Sequence, residues 1–476
     1  MSPAISASRV ASLVGDFDRS PAYAGLADSL RLLIGDGRIA LDTRLPSERE
    51  LTEALGLSRT TVARAYADLR DRGFAESRRG AGSFARIPGG ARSVLDRTLT
   101  PRTGDPHLID LNCAAASAPP GVAAAYDAAL AALPAYLSGH GYYPAGVPEL
   151  QQAIAATYEA RGLATTPDQI LVTPGALSAA AIVALGLTSA GDRVVVENPV
   201  YPNATEALAH HGARLVAAPV DPGGWDLEAI GAVVRQAAPR LAYLIPDFQN
   251  PTGHLMSEAQ REEYAAMLGR SRTIAVVDEA HQALGLEGQR MPPPFAALGR
   301  DTITIGSASK TFWGGLRLGW IRAPERHLAA LMRARLSIDL GAPVLEQLVL
   351  TRLLEEPDAT LAAQRARLRT QRDALVTALR TSLPDWSFQT PGGGLALWCH
   401  LPRPLASATA AEAERRGVIV SPGHVFAVDG GHEHFVRIPW TRPAEELEQA
   451  ALVLAEAWQA AVASPRQASR SRITVA

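Results

Sequence analysis

Apolar residues recur at helical spacing through Tyr23–Ile34, and Gly35-Asp36-Gly37 closes that run. A short helix opens at Leu45-Pro46-Ser47-Glu48-Arg49-Glu50-Leu51, where Ser47 as N-cap and Glu50 three residues on form a capping box, and Gly56 ends it. Ser58 caps the next helix, Arg59 to about Arg72, which Gly73 terminates. Gly73–Phe84 then reads as two short strands around a turn rich in arginine and glycine. Helix, short turn, helix and β-wing is the plan of a winged helix-turn-helix, predicted over 20–87. Residues 88–107 are rich in Pro, Gly, Arg and Thr, lack periodicity and read as a linker. Over 108–463 strand-like runs alternate with helical ones, at Ile170–Thr173, Arg193–Glu197, Arg214–Pro219, Leu241–Ile245, Thr273–Asp278 and Thr302–Ser307. Such alternation predicts an α/β domain with a parallel sheet, its large subdomain about 140–322. Helices then dominate, with strands at Gly394–His400 and Phe435–Pro439, predicting a smaller C-terminal α+β subdomain about 323–463. The polar tail 464–476 reads as disordered.

Composition narrows the function. A chain of 476 residues, 47% hydrophobic and 20% charged, has material for several packed domains. Its net charge of −2 excludes a uniformly basic nucleic-acid coat, yet Arg19–Arg86 holds twelve arginines against nine acidic residues, a local surplus of three. Two cysteines, Cys113 and Cys399, make neither a disulfide framework nor a zinc site, so no metal is expected. That usage suits a reducing cytoplasm. The longest apolar stretch, around Ala179–Leu187, is too short to span a bilayer. A cytoplasmic protein is the expectation.

Lys310 is the only lysine; the other 45 of the 46 basic residues are arginine. Arginine can replace lysine as a surface charge, but its guanidinium cannot act as an amine nucleophile at neutral pH. Chemistry is therefore sought at Lys310.

The N-terminal block offers candidate DNA contacts. The helix from Arg59 begins with Arg59, Thr60, Thr61 and Arg64, short donors and long cations at the end that would enter a major groove. Three segments, L-P-S-E-R-E-L, S-R-T-T-V-x-R-A-Y-x-x-L and R-R-G-x-G-S-F, together closely resemble the GntR family of bacterial regulators. The resemblance implies binding to a double-stranded DNA operator through Ser47, Arg49, Ser58, Arg59, Thr60, Thr61, Arg64, Arg79, Gly80 and Gly82.

Ser307-Ala308-Ser309-Lys310-Thr311 follows a strand, and Arg317 comes seven residues after the lysine. A lysine at a strand end can form a Schiff base with an aldehyde where burial lowers its pKa, and Ser307 and Arg317 are a hydroxyl and a fork-shaped cation that suit a phosphate. The pattern S-x-S-K-T…R-L-G resembles the pyridoxal-phosphate site of fold-type I aminotransferases, which implies that fold, pyridoxal 5′-phosphate as cofactor, and Lys310 as its Schiff-base residue. Thr173-Pro174-Gly175-Ala176-Leu177 joins a strand to an apolar helix, so Gly175 and Ala176 open an anion site suited to the cofactor phosphate, or form an ordinary β–α turn. The resemblance further implies that Tyr201 stacks on the pyridine ring, Asn250 hydrogen-bonds the 3′-oxygen, and Asp278 pairs with the pyridine nitrogen. Arg437 matches the arginine that clamps a substrate carboxylate, and it equally suits an ordinary strand cation. Gly141-Tyr142-Tyr143-Pro144 resembles the segment lending a tyrosine to the neighbouring subunit's phosphate, which implies Tyr142, although the register also allows Tyr143 or neither.

Over roughly residues 20–460 the chain resembles the MocR (GabR-like) subfamily of GntR regulators, winged helices joined to an aminotransferase-like domain that usually form homodimers. The resemblance implies a pyridoxal-phosphate-dependent transcription regulator that senses the cofactor or an amino compound by aldimine exchange, with slow or vestigial transaminase activity. An enzyme with an accessory N-terminal block is the alternative. Two departures stand out. Family members commonly carry a tyrosine two residues after the pyridine-pairing aspartate, where this chain has Ala280; His281 either replaces it or is a surface or core histidine. Members sensing γ-aminobutyrate carry an arginine two residues after the stacking tyrosine, where this chain has Asn203.

Overall fold

The computed structural model describes residues 4–35, 39, 43–78, 81–86, 99, 108–210, 212–428 and 430–463. The N-terminal domain starts earlier than its hydrophobic pattern announces. Helix α1 (Ala7–Val14), capped by Ser6, buries Val10 and Val14 against α2 (Ala22–Gly35), α3 (Glu48–Leu55) and α4 (Arg59–Asp71). Leu26, Leu30, Leu51, Val62, Tyr66 and Leu69 complete this separate core. Strands β1 (Ala75–Arg78) and β2 (Gly82–Ala85) pair antiparallel as the wing, Arg78 opposite Gly82. Both capping expectations hold: Ser47 and Glu50 form the reciprocal box, and the Ser58 hydroxyl accepts from the Thr61 amide at 3.1 Å.

Most of the linker and the tail fall outside the described residues. Leu99 does not. Its amide donates to Asn203 Oδ1 at 2.7 Å and its carbonyl accepts from Asn203 Nδ2 at 3.3 Å.

The second domain opens with β3 (Ile109–Asp110), α5 (Val122–Ala132) and α6 (Pro148–Glu159). Then come β4 (Ile170–Thr173), α7 (Ala176–Leu187), β5 (Arg193–Asn198), α8 (Pro202–Ala209), β6 (Arg214–Asp221), β7 (Gly224–Trp225), α9 (Leu227–Ala237), β8 (Leu241–Leu244), α10 (Glu258–Arg270), β9 (Ile274–Asp278), α11 (Phe295–Leu298), β10 (Thr302–Ser307), α12 (Ala308–Thr311) and β11 (Gly319–Arg322). Strands β4–β11 form one eight-stranded sheet in the order β4-β11-β10-β9-β8-β5-β6-β7. The middle strands β10, β9, β8, β5 and β6 run parallel, while β11 and β7 run antiparallel to their neighbours. Helices cover both faces, which is why Val194–Val196, Leu241–Leu244 and Ile274–Val277 read as unbroken apolar runs rather than alternating ones.

Packing draws the small subdomain differently from the sequence reading. Helices α13 (Glu325–Leu336) and α14 (Val344–Glu355) bury Leu331, Ala334, Val349 and Leu350 in the cores of the large body. The small core is built by α15 (Pro357–Ser382), β12 (Ala396–His400), α16 (Ala406–Arg415), β13 (Val418–Ile419), β14 (Ser421–Pro422), β15 (Phe435–Pro439) and α17 (Ala444–Ala463). It also takes in Ile109, Leu111 and Ala114, because β3 pairs with β13. The chain therefore enters through the small subdomain before building the large one.

Candidate functional site

Carboxyl ends of parallel strands are where an α/β sheet opens a crevice. Here Glu197 and Asn198 end β5, Asp278 ends β9 and Ser307 ends β10. Lys310 lies one turn beyond Ser307 on α12, and its Nζ donates to the carbonyl oxygen of Ala114 at 2.7 Å. Burial pushes the ammonium down from its ordinary range; Arg437 and Arg317 push the same way, while Cys113 and Asp278 oppose. A larger share of nucleophilic amine at neutral pH is the result.

Asp278 is buried, and its carboxylate is held at both oxygens. Tyr243 donates its hydroxyl to Oδ2 at 2.7 Å, and the Ala280 amide donates to Oδ1 at 2.9 Å. Burial raises this carboxyl above its usual range, and the two donors and the charge of Lys310 oppose that shift. A cationic ring nitrogen would relieve the same penalty. Tyr201 is half-buried with its phenol pushed up to about 12 by burial, within the fields of Arg437, Asp278 and Arg317.

The phosphate end of the site is a cradle. Helix α7 begins at Gly175, φ 101°, with no side chain capping its first amides. Arg317, itself left-handed at φ 49°, donates from Nη2 to the Pro174 carbonyl at 3.4 Å. A Cβ built at Gly175 would lie 3.1 Å from that Nη2, so a bare glycine lets guanidinium and helix start share one space. Free amides, a positive helix end, the Arg317 fork and the nearby Ser307 hydroxyl match a phosphate in charge and donor set.

At the opposite end Arg437 is buried on β15. Nη2 donates to the carbonyl oxygen of Asn112, Nη1 donates to Asn250 Oδ1 at 3.4 Å, and Nε has no partner. The Phe426 ring lies 4.9 Å from its guanidinium carbon. Burial lowers the guanidinium to about 10, so it remains charged at neutral pH. An orphaned, buried, charged donor matches a carboxylate in charge and hydrogen-bonding capacity.

Lys310, Asp278, Tyr201, Asn250, Arg437 and the Gly175–Arg317 cradle thus converge within one chain. Tyr142 does not join them: it is 59% exposed and stacks on His140 instead. His281 is buried, and its Nδ1 faces the Phe248 carbonyl at 3.0 Å, which makes that nitrogen the donor. Burial and the charges of Lys310 and Arg437 lower it to about 4, so it is neutral beside the site.

Sequence reasoning missed a supporting network. The Glu197 carboxylate accepts from Trp225 Nε1 at 2.7 Å, Gln249 Nε2 at 3.0 Å and the Ile245 amide at 3.2 Å. Gln249 also donates to the Pro199 carbonyl at 2.7 Å and accepts from the Thr252 amide at 2.9 Å. One buried acid and one amide therefore clamp the segment bearing Tyr201 to the segment bearing Asn250. The only sequence signal was their position next to two Asn-Pro steps.

On the winged helix, Arg59 and Thr60 are exposed at the start of α4. Arg64 is exposed with its guanidinium carbon 4.0 Å from the Tyr23 ring, and Arg49 pairs with Glu53 at 3.2 Å. Ser58 and Thr61 share a hydroxyl contact of 2.7 Å at the helix start. Gly82 is exposed at the wing, and Arg79 and Gly80 lie outside the described residues. No helix among the described residues is long and apolar enough to cross a membrane.

Residues 127–454 match the model of the aminotransferase class I and II family, and residues 22–84 match that of the bacterial regulatory proteins of the gntR family. The chain is 30% identical over 434 residues to the probable rhizopine catabolism regulatory protein MocR of Rhizobium meliloti, covering 84% of this chain and 86% of MocR. It is 26% identical over 446 residues to the uncharacterized HTH-type transcriptional regulator YisV of Bacillus subtilis strain 168, covering 85% and 89%. Among solved structures it resembles LysN, the α-aminoadipate aminotransferase of Thermus thermophilus, complexed with N-(5′-phosphopyridoxyl)-L-leucine. That match has a TM-score of 0.69 at 28% identity over 75% of this chain and 94% of LysN.

Proposed function

The chain belongs to the aminotransferase class I and II family and carries a gntR-family DNA-binding domain, an arrangement of the MocR-like regulators, and we propose that it adjusts operator binding by sensing an amino acid at pyridoxal phosphate. The aminotransferase fold implies that cofactor. The observation carrying the proposal is the placement of the chain's single lysine among Asp278, Tyr201 and Arg437, in the same polypeptide as an exposed recognition helix.

When bound, pyridoxal phosphate supplies an aldehyde carbon that takes up an amine and a ring that withdraws electrons from it. The residues divide the work. Lys310 would hold the cofactor through Nζ. Gly175, Ala176, Ser307 and Arg317 bind the phosphate, and Asp278, stabilised by Tyr243, keeps a proton on the ring nitrogen. Tyr201 would cover the ring face and Asn250 would donate to the ring oxygen. Arg437 orients the effector by its carboxylate, which selects amino acids over simple amines.

A homodimer accompanies this reading. Leu137, Tyr142, Leu336, Ile338 and Leu340 are exposed apolar side chains, and Leu336, Ile338 and Leu340 lead into Gly341, which packs against the Tyr143 backbone. A second copy on this face would bury them and bring its Tyr142 towards the phosphate cradle. Two winged helices would then face two half-sites.

Borohydride reduction of the cofactor-loaded protein, followed by peptide mass mapping, tests the site. A phosphopyridoxyl group on the Lys310 peptide is expected; unmodified Lys310 with cofactor bound elsewhere would overturn it.

A further inference from the structure

Arg31, on α2, reaches from the DNA-binding domain to the small subdomain. Its Nη1 donates to the carbonyl oxygen of Pro404 at 3.3 Å, and its side chain is 13% exposed. Asp28 holds it from within its own domain, with Oδ1 3.6 Å from Arg31 Nε and 2.6 Å from Arg72 Nη1. Across the boundary the Glu433 carboxylate also attracts the guanidinium.

Glu433 is buried in a corner built by α16 and the segment Gly423–Phe426. Oε1 accepts from the Ser407 amide at 2.9 Å, and the Glu433 carbonyl accepts from the Ala406 amide at 3.0 Å, so Glu433 caps α16. Oε2 accepts from the Ser407 hydroxyl at 2.8 Å, which leaves His424 Nδ1 to donate to that hydroxyl oxygen at 3.0 Å. The three side chains form a closed structural knot; the serine proton points at the carboxylate, not at the histidine.

The same segment touches the cofactor site. Two residues after His424, Phe426 lies against Arg437, and its carbonyl accepts from the Val200 amide at 3.0 Å, next to Tyr201. The Val428 amide donates to Asn198 Oδ1 at 3.1 Å. Glu433 itself stands two residues before β15, which carries Arg437. Arg31 and Arg437 are therefore linked through one corner of the small subdomain, by the contacts at Pro404, Ser407–His424–Glu433 and Phe426 and by the short backbone steps between them.

Arg437 has two different partnerships available. In this structure it is spent on the Asn112 carbonyl and the Asn250 amide oxygen. A carboxylate makes stronger, charge-assisted bonds and would displace these neutral acceptors. A ligand shifts an equilibrium only through such differential contacts.

We propose that the Ser407–His424–Glu433 corner is the surface on which the winged helix reads effector occupancy at Arg437, with Arg31 as its contact. The inference rests on the sensor reading above and adds the route. Arg31 lies on α2, outside the candidate DNA-contacting set.

The test measures affinity of the full chain for a duplex selected from random-sequence DNA, by fluorescence anisotropy, with and without N-(5′-phosphopyridoxyl)-L-leucine. That probe joins phosphate, ring and carboxylate in one molecule. Wild type should shift its DNA affinity by roughly 5- to 150-fold, the usual range of allosteric coupling. Arg31→Ala should keep probe binding and probe-free DNA affinity within about threefold of wild type and lose most of the shift, with Arg31→Lys restoring part of it. Equal shifts in wild type and Arg31→Ala would overturn the route and leave the sensor reading intact. Probe binding to wild type without any shift would overturn the sensor reading and the route with it. Should Arg31→Ala fail to bind DNA, Glu433→Gln decides by the same criterion from the other side: loss of the shift supports the route, and retention overturns it.

Discussion

The hydroxyl of Tyr243 donates to Oδ2 of Asp278 at 2.7 Å, from the neighbouring strand of the sheet. That bond favours the charged carboxylate against its own burial. In Tyr243→Phe the carboxyl loses a donor and its pKa rises further, so the ring-nitrogen partner ionises later as pH rises. Cofactor affinity should fall by about 1.5–3 kcal/mol, the worth of a hydrogen bond to a charged group. Absorbance titration across pH reads both effects; an unchanged acid limb would contradict the assignment of Asp278.

Glu197 sets a stability signature. Burial raises its carboxyl to about 7, against the pull of three donors. The folded state then binds more protons than the unfolded chain between the ordinary carboxylate range and about pH 7, so stability falls as pH rises through that window and levels off above it. Glu197→Gln presents an N–H to at least one of the same donors and should cost about 1–3 kcal/mol. It should also flatten the profile. Denaturant midpoints from pH 5 to 8 distinguish this from a mutation that merely lowers the curve.

Much of the architecture was legible in the chain because local signals agreed. Ser47 and Glu50, Ser58, and the apolar runs ending at Asp278 and Ser307 each specify an element without help from distant residues. What stayed hidden depends on contacts between remote segments. The place of Ile109–Ala114 in the small core follows from the pairing of β3 with β13, some 300 residues apart, and a two-residue strand carries no periodicity. Helices α13 and α14 present apolar faces that suit either subdomain, and only the packing decides. Tyr243 reads as one more apolar strand position until Asp278 lies beside it. Asn203, expected only as a missing effector arginine, holds the backbone of Leu99 instead.

Arg437→Met should discriminate between ligands. Removing the guanidinium deletes the carboxylate seat but leaves Lys310 and the phosphate cradle. Cofactor-loaded protein should lose roughly 10- to 100-fold in affinity for amino acids, the scale of charge-assisted bonds, while simple amines change little. Spectral titration with an amino acid and its decarboxylated amine checks this; equal losses would remove Arg437 from the recognition role.

Arg59→Ala tests the recognition helix. If Arg59, exposed at the start of α4, reads a base edge, operator affinity should fall by about 1–3 kcal/mol with reduced discrimination between operator and random DNA. A uniform loss on both DNAs, with a shallower salt dependence, would move Arg59 to a phosphate contact.

The most direct measurement compares operator affinity of full-length wild type and Lys310→Ala, each titrated with pyridoxal phosphate and then an amino acid that perturbs the wild-type spectrum. Wild type should change its operator affinity at the amino-acid concentration that changes its spectrum. Lys310→Ala should bind DNA with wild-type ligand-free affinity, because the winged helix has its own core, and should not respond. An operator affinity that stays constant in wild type while its spectrum changes, or a Lys310→Ala protein that responds as wild type does, would contradict the claim that this lysine is the point at which the regulator senses its effector.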